Sequence, residues 1–478
     1  MSKINITING GEYAVEQGIT ILEAARENGV HIPTLCHFEG IPGRANCRMC
    51  VVEVEGMRTF QPACVTRASE GMSVKTDTPR LRAARKATLE LILAHHAVDC
   101  HHCLRIGSST EQSLDPRFCE MCFWCDCVRD GFCELQVLAR EYHVDMLPYI
   151  QHEADCEEDC SLGSIIRNPN KCIKCRRCVD ICGEVQTVHN LSMANRGRDI
   201  MVVPELGKSM ADSACVRCGH CVDVCPVGAI YMQEHIDEVL YMTHSYHVDT
   251  IAQLSPDVLP ELAKLYKVPD VAITMEHVNA ALHKIGFDTV VTDEQAKRLA
   301  AKQAEAIIDE YVGKRPVILT NSRAVLNFVE RYFPEMKDQI SVYESVQAIF
   351  GRSAREKENG RPLKTIQITA VKEAGAEARE TGNVDYVLNA RELYRMFLRT
   401  GGAPSKKTPM AFQETCWEPE KYPQLLGDKA WDLTHEPEEF ALNIAGAERK
   451  CAVAHNLGQV RQLLEGSWKN YDIVRLLA

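Results

Sequence analysis

The chain has 478 residues, of which 45% are hydrophobic, and carries a formal net charge of −12 at pH 7. That length calls for three or four domains, because one core rarely serves more than about 250 residues. No apolar run approaches the ~20 residues that span a bilayer, the opening MSKINITING has no signal- or transit-peptide pattern, and the negative balance argues against nucleic acid or a membrane surface as partner.

Residues 1–78 begin with alternating Ile4, Ile6 and Ile8, a Gly-Gly turn, the helical pattern ITILEAARENG and a strand at VVEVEG (51–56). This resembles a β-grasp fold. Residues 79–155 start with the helical RLRAARKATLELILAHH and pass into a cysteine-crowded loop, and residues 156–235 are compact and cysteine-periodic. From 236 to 478 strands and helices alternate, an α/β pattern. A capping signal, Thr292 to Gln295, opens the helical TDEQAKRLAAKQAEAIIDEYVG, and Gly313 closes it. PVILT, KTIQITAV, VDYVL and CAVAH read as buried strands, each followed by a helical segment; ARELYRMFLRTGG stops at Gly401 or Gly402.

The chain has 23 cysteines, and only Cys416 and Cys451 lie beyond Cys225. A disulfide framework belongs to short chains in oxidising compartments. Metal ligation in a reducing cytoplasm is the expectation for a chain of this kind. Cys36, Cys47, Cys50 and Cys64, separated by ten, two and thirteen residues, suit one [2Fe–2S] cluster; four buried cysteines are the plainer alternative. Cys172, Cys175, Cys178 and Cys182 form a Cys-x2-Cys-x2-Cys-x3-Cys run. Cys215, Cys218, Cys221 and Cys225, closed by Pro226, form another. This is the pattern of two-cluster bacterial ferredoxins, in which the fourth cysteine of each run serves the other cluster. One [4Fe–4S] is expected on Cys172, Cys175, Cys178 and Cys225, and a second on Cys215, Cys218, Cys221 and Cys182. Zinc is the alternative metal.

Between these sets, His96, Cys100 and Cys103 have His-x3-Cys-x2-Cys spacing, and Cys133 lies in the tail Gly-Phe-Cys-Glu-Leu-Gln. The segment between Cys103 and Cys133 carries Cys119, Cys122, Cys125 and Cys127. Two readings stay open. Either His96, Cys100, Cys103 and Cys133 hold a third [4Fe–4S] while the inserted four hold an additional cluster, or the ligands are reshuffled around one cluster. Cys156 and Cys160 either complete an extra cluster or are plain cysteines. His95, His101 and His102 read as solvated, and Cys416 and Cys451 as core packing.

TLCHFEGIPGRANCRMCVVEVEG, the His96 motif and SIIRNPNKCIKC together resemble modular [FeFe] hydrogenases of electron-bifurcating complexes. The N-terminal half also resembles the large iron–sulfur subunit of respiratory complex I. VDYVLNARELYRMF and VAHNLGQVRQLLE extend the hydrogenase likeness through the C-terminal half. The resemblance implies an α+β and α/β multidomain chain: a plant-type [2Fe–2S] domain (1–78), a His/Cys3 [4Fe–4S] domain with a cysteine-rich insertion (79–155), a two-[4Fe–4S] ferredoxin domain (156–235) and a hydrogenase-like domain (236–478). In that family three cysteine motifs hold the catalytic H-cluster. Thr-Ser-Cys-Cys-Pro-x-Trp is replaced here by Thr320-Asn321-Ser322-Arg323-Ala324-Val325-Leu326. Met-Pro-Cys-x-x-Lys is replaced by Gln367-Ile368-Thr369-Ala370-Val371-Lys372, and the third motif would follow YDIVRLLA, where the sequence stops. A cubane needs thiolates, so the expectation is a non-catalytic electron-transfer subunit without hydrogen chemistry.

The resemblance also implies partners: an FMN- and NAD(H)-binding iron–sulfur subunit, a small thioredoxin-like [2Fe–2S] subunit, and ferredoxin. The expected assembly is a cytoplasmic, flavin-based electron-bifurcating transhydrogenase between ferredoxin, NADH and NADPH. An electron-bifurcating formate dehydrogenase complex and a redox sensor are the alternatives. No Gly-x-Gly-x-x-Gly follows a strand, so dinucleotide binding by this chain is not expected.

Overall fold

The structure is a computed structural model. It describes residues 2–96, 127–129, 132–144, 156–356, 360–402, 404, 410, 412, 421–427, 433–434, 436–444 and 446–478. The expectations for Cys100, His101, His102, Cys103, Cys119, Cys122, Cys125 and Cys416 lie outside the described residues.

The first unit is a mixed sheet of β1 (Lys3–Ile8), β2 (Gly11–Glu16), β3 (Val51–Val54), β4 (Gln61–Pro62) and β5 (Ser73–Lys75), in the order β2-β1-β5-β3-β4. The alternation at Ile4, Ile6 and Ile8 aims all three into a core shared with Ile21, Leu22 and Ala25 of the helix Ile21–Glu27. That helix starts where Thr20 and Glu23 cap each other's backbone N–H groups.

The helix Pro79–Leu93 follows, with Thr78 at its N-cap and Pro79 in its first turn. It buries Leu81, Leu89 and Leu93, and packs against the helix Glu134–Glu141. Arg85 is 1% exposed, yet its guanidinium donates to the carbonyls of Val51 at 2.7 Å and Thr76 at 2.9 Å. A buried cation met by carbonyls ties this helix to the first sheet.

Two hairpin-like pairs frame the next unit. β6 (Ile165–Arg167) runs antiparallel to β9 (Ile230–Met232), and β7 (Leu191–Ala194) antiparallel to β8 (Met201–Pro204). Short helices Arg177–Asp180 and His220–Val224 sit inside the two cysteine runs.

The C-terminal half is built on two sheets. Its strands are β10 (Asp249–Leu254), β11 (Thr289–Thr292), β12 (Val317–Thr320), β13 (Ile340–Val342), β14 (Leu363–Ile368), β15 (Tyr386–Leu388), β16 (Glu438–Ile444), β17 (Ala447–Ala454) and β18 (Ile473–Leu476). One sheet, β11-β10-β14-β15, is wholly parallel; the other, β13-β12-β18-β17-β16, is parallel except for the β16–β17 pair. Parallel strands covered on both faces read as unbroken apolar runs, and β12 and β18 are buried at every position. The capping signal at Thr292 is a correction: the helix is Glu294–Tyr311, its N-cap is Asp293, and no side-chain capping bond forms there. Thr292 is still the last residue of β11, so the chain has one residue in which to turn.

Candidate functional site

Cys36, Cys50 and Cys64 are buried and Cys47 is half-buried, all around one loop beside the first sheet. Ala45 and Arg48 take left-handed backbone angles (φ 54° and 57°) that fold the loop inward. The amide of Cys47 then donates to the Cys36 sulfur at 3.4 Å, and that of Met49 to the Cys47 sulfur at 3.5 Å. Gly43 is required, because a Cβ there would stand 2.3 Å from the Cys64 carbonyl oxygen. A hydrogen bond from Cys47 pulls the Cys36 thiol down to about 6 and pushes Cys47 up. The Cys50–Cys64 contact likewise lowers Cys64 and raises Cys50. Four thiols this close cannot all ionise unless positive charge lies between them, and ferric or ferrous iron in a cluster is such a charge.

The two later runs share one backbone design. Lys174 and Arg176 are left-handed in the first, Arg217 and Gly219 in the second. The Lys174 amide donates to the Cys172 sulfur and the Arg217 amide to the Cys215 sulfur, each at 3.4 Å. Such N–H···S bonds favour the electron-rich sulfur of a reduced cluster. The eight thiols divide between two cavities. One is lined by Cys172, Cys175, Cys178 and Cys225; the other by Cys182, Cys215, Cys218 and Cys221. Burial raises the thiols of Cys175, Cys178, Cys218 and Cys221, and takes Cys215 up to about 11. Among the described residues no three Cys, His, Asp or Glu side chains converge on a point suited to one ion. Tetrahedral zinc needs sulfurs about 2.3 Å from a single centre. Thiols spread over the walls of a cavity suit a cubane better.

His96 is buried, and its Nδ1–H donates to the Lys171 carbonyl at 2.9 Å. Cys133 is the N-cap of the helix Glu134–Glu141, and burial pushes its thiol up to about 12. The Glu134 amide donates to the Pro226 carbonyl at 3.0 Å, so Cys133 adjoins the Cys225 turn. Cys127 is buried as well. Cys156 is half-buried, with its backbone held by Asn170, and Cys160 is exposed. His95 is exposed, and Cys451 is fully buried in β17.

Sequence reading missed Arg177. Its two terminal nitrogens donate to Glu134 at 2.7 and 2.8 Å, and its guanidinium lies 5.7 Å from the centre of the Phe38 ring. A charged residue inside a cysteine run was the only signal available.

In the C-terminal half, Ser322, Arg323 and Thr369, read from the sequence as replacing the hydrogenase motif cysteines, are bonded to protein. Ser322 caps the helix Arg323–Tyr332 and donates to Glu373 at 2.8 Å, and the Ala324 amide donates to the same oxygen at 2.8 Å. Arg323 and Arg217 both pair with Glu380. Thr369 donates to Asp257 at 2.7 Å. Lys372 lies 3.3 Å from Asp223 and 3.8 Å from Glu261. The helix Arg323–Tyr332 also docks on the ferredoxin-like unit through Arg331 to the Ser213 carbonyl (2.6 Å) and Tyr332 to the Val188 carbonyl (2.8 Å).

Comparison with known proteins gives three family matches: a 2Fe-2S iron-sulfur cluster binding domain at 1–79, the ferredoxin-like domain of NADH-quinone oxidoreductase subunit 3 at 163–231, and the C-terminal domain of the iron only hydrogenase large subunit at 248–476. The NADP-reducing hydrogenase subunit HndD of Solidesulfovibrio fructosivorans is 30% identical over 100% of this chain and 87% of its own. Iron hydrogenase 1 of Clostridium pasteurianum is 26% identical over 73% of this chain and 58% of its own. The NADH-ubiquinone oxidoreductase 75 kDa subunit of Reclinomonas americana is 30% identical over 41% of this chain and 25% of its own. Among solved structures, the NAD+-reducing [NiFe]-hydrogenase in the H2-reduced state is similar at TM-score 0.41 and 24% identity, covering 48% of this chain and 87% of that one. Among the described residues no helix is long and apolar enough to cross a membrane. With a [2Fe–2S] domain, a ferredoxin-like domain and a hydrogenase-type C-terminal domain in one order, matched end to end by HndD, the chain belongs to the family of iron–sulfur, hydrogenase-like oxidoreductase subunits that includes HndD.

Proposed function

We propose that this chain is the non-catalytic electron-transfer subunit of a ferredoxin-linked, NAD(P)-dependent, flavin-based bifurcating complex. The observation that carries the reading is the fate of the H-cluster positions. Ser322, Arg323 and Thr369 are not thiols, and each is bonded to a carboxylate: Glu373, Glu380 and Asp257. Hydroxyl and guanidinium groups do not hold a cubane. The relative HndD is named as NADP-reducing, which supports a pyridine-nucleotide link for the assembly.

The unit boundaries 1–78, 79–155, 156–235 and 236–478 belong to this proposal. So do the ligand sets: Cys36, Cys47, Cys50 and Cys64 for a [2Fe–2S]; Cys172, Cys175, Cys178 and Cys225 for one [4Fe–4S]; and Cys215, Cys218, Cys221 and Cys182 for another. The division of the thiols between two cavities supports the crossed sets. His96 and Cys133 belong to a third [4Fe–4S]. Clusters so held supply single-electron relay. The residues supply buried thiols, amide donors to sulfur, and walls that exclude water. The flavin, the pyridine-nucleotide site and a small [2Fe–2S] subunit reside on partners.

The test is anaerobic co-production with hydrogenase maturases and with the products of adjacent genes. Expected are no hydrogen uptake or evolution, about 14 irons per chain, co-purification with a flavoprotein, and ferredoxin-dependent reduction of NAD(P)+. Hydrogen turnover by the purified chain sinks the non-catalytic reading. A chain that purifies alone and passes no electrons to a flavoprotein sinks the assembly.

A further inference from the structure

Three buried side chains outside the two cavities meet one short stretch of the ferredoxin-like unit. Just past the β6–β9 pairing, the Asn168 amide donates to the Ala229 carbonyl at 2.8 Å, so residues 168–172 run beside 225–229. His96 meets this stretch at the Lys171 carbonyl, 2.9 Å from its Nδ1. Cys133 meets it at Pro226, through the 3.0 Å bond from the next amide. Cys127 meets it at Gly228, where an added Cβ would stand 3.1 Å from the Cys127 sulfur. The span from Cys127 to Cys133 is pinned by Arg129, whose guanidinium donates to the Val222 carbonyl at 2.7 Å and whose carbonyl accepts from the Phe132 amide at 2.9 Å. His96, Cys127 and Cys133 are each 7% exposed.

The chemistry of the three is that of metal ligands. With Nδ1–H committed to a carbonyl, the neutral imidazole carries its lone pair on Nε2, the arrangement that orients a ligating histidine. Cys127 and Cys133 are both buried thiols, and two such thiols gain from a shared cation.

We propose that Cys127 and Cys133 ligate one and the same iron–sulfur cluster, with His96 as its imidazole ligand. Cys119, Cys122, Cys125 and Cys127 then do not form a cubane of their own. This rests on the electron-transfer reading above, and it seats the cluster beside Cys172 and Cys225, whose chain neighbours Lys171 and Pro226 make the contacts.

The experiment uses the full chain, prepared anaerobically, with Cys127→Ser, Cys133→Ser and the double variant, read by iron content and EPR. Each single variant is expected to lose about four irons and the same signal, and the double variant to lose no more. The [2Fe–2S] signal reports that the chain still folds. A double variant that loses about eight irons, or a Cys127→Ser chain with its full complement, overturns the shared site and leaves the electron-transfer reading standing. That reading fails separately if the unaltered chain holds clusters that no low-potential donor reduces. A milder variant, His96→Cys, is expected to shift the signal that Cys127→Ser abolishes; an unshifted signal refutes the shared site.

Discussion

Arg177 forks onto Glu134, one guanidinium nitrogen on each carboxylate oxygen at 2.7 and 2.8 Å. Arg177 directly precedes Cys178, Glu134 directly follows Cys133, and the guanidinium faces Phe38, two residues beyond Cys36. One buried cation therefore stands among three thiol sites. A second tie, Arg44 to Asp180 at 3.2 Å and to Glu184, fixes the Cys36 loop against the same helix.

A positive charge near a cluster favours its reduced, more negative state. Arg177→Gln is expected to lower the midpoint potentials of both the Cys36-site and Cys172-site clusters, and Arg177→Lys to restore part of the shift. Redox titration followed by EPR reads both. Unmoved potentials in a folded Arg177→Gln chain would show that the arginine only packs.

The crossed ligation has its own signature. Cys182→Ser is expected to damage the cluster of Cys215, Cys218 and Cys221, because Cys182 lines their cavity and not the other. Cys225→Ser is expected to damage the cluster of Cys172, Cys175 and Cys178. Mössbauer or EPR spectra of the two variants check this, and loss of the opposite cluster in either one rules out the crossing.

Gly219 sits between Cys218 and Cys221 at φ +81°, and a Cβ there would meet the Lys372 Cβ at 2.5 Å. Gly219→Ala adds left-handed strain and a clash, so it is expected to cost about 1–3 kcal/mol and to broaden the spectrum of the Cys215-site cluster. Thermal unfolding and EPR measure the two effects, while Gly382→Ala (φ +64° with open space around it) tests strain alone.

Burial raises Glu392 to about 8, against the amides of Asn389 and His235 that hold its charged form, and it raises Glu373 to about 7. A carboxyl with a raised pKa holds more protons folded than unfolded. Its contribution is complete below the ordinary carboxylate range and is lost as pH climbs through about 7 to 8. The melting temperature is therefore expected to fall as pH rises from roughly 5 to 8. Glu392→Gln should flatten the profile. A rise over that interval in the unaltered chain would contradict the assignment.

Short-range features were legible in the sequence. Cys-x2-Cys-x2-Cys spacing forces one tight turn per pair, and the left-handed residues Lys174, Arg176, Arg217 and Gly219 supply it. The apolar runs at 317–319 and 451–454 read as buried strands and lie in strands, and Gly313 and Gly401 end their helices through positive φ as a glycine can. At Thr292 the helix begins one residue later than the threonine signal places it, with Asp293 at the N-cap. What tertiary structure decided is pairing at long range. Nothing local sends Arg323 to Glu380, Lys372 to Asp223, or Arg177 to Glu134. Those partners meet because the fold brings each charged group within reach of its complement, and the more buried member of each pair has least water to take instead.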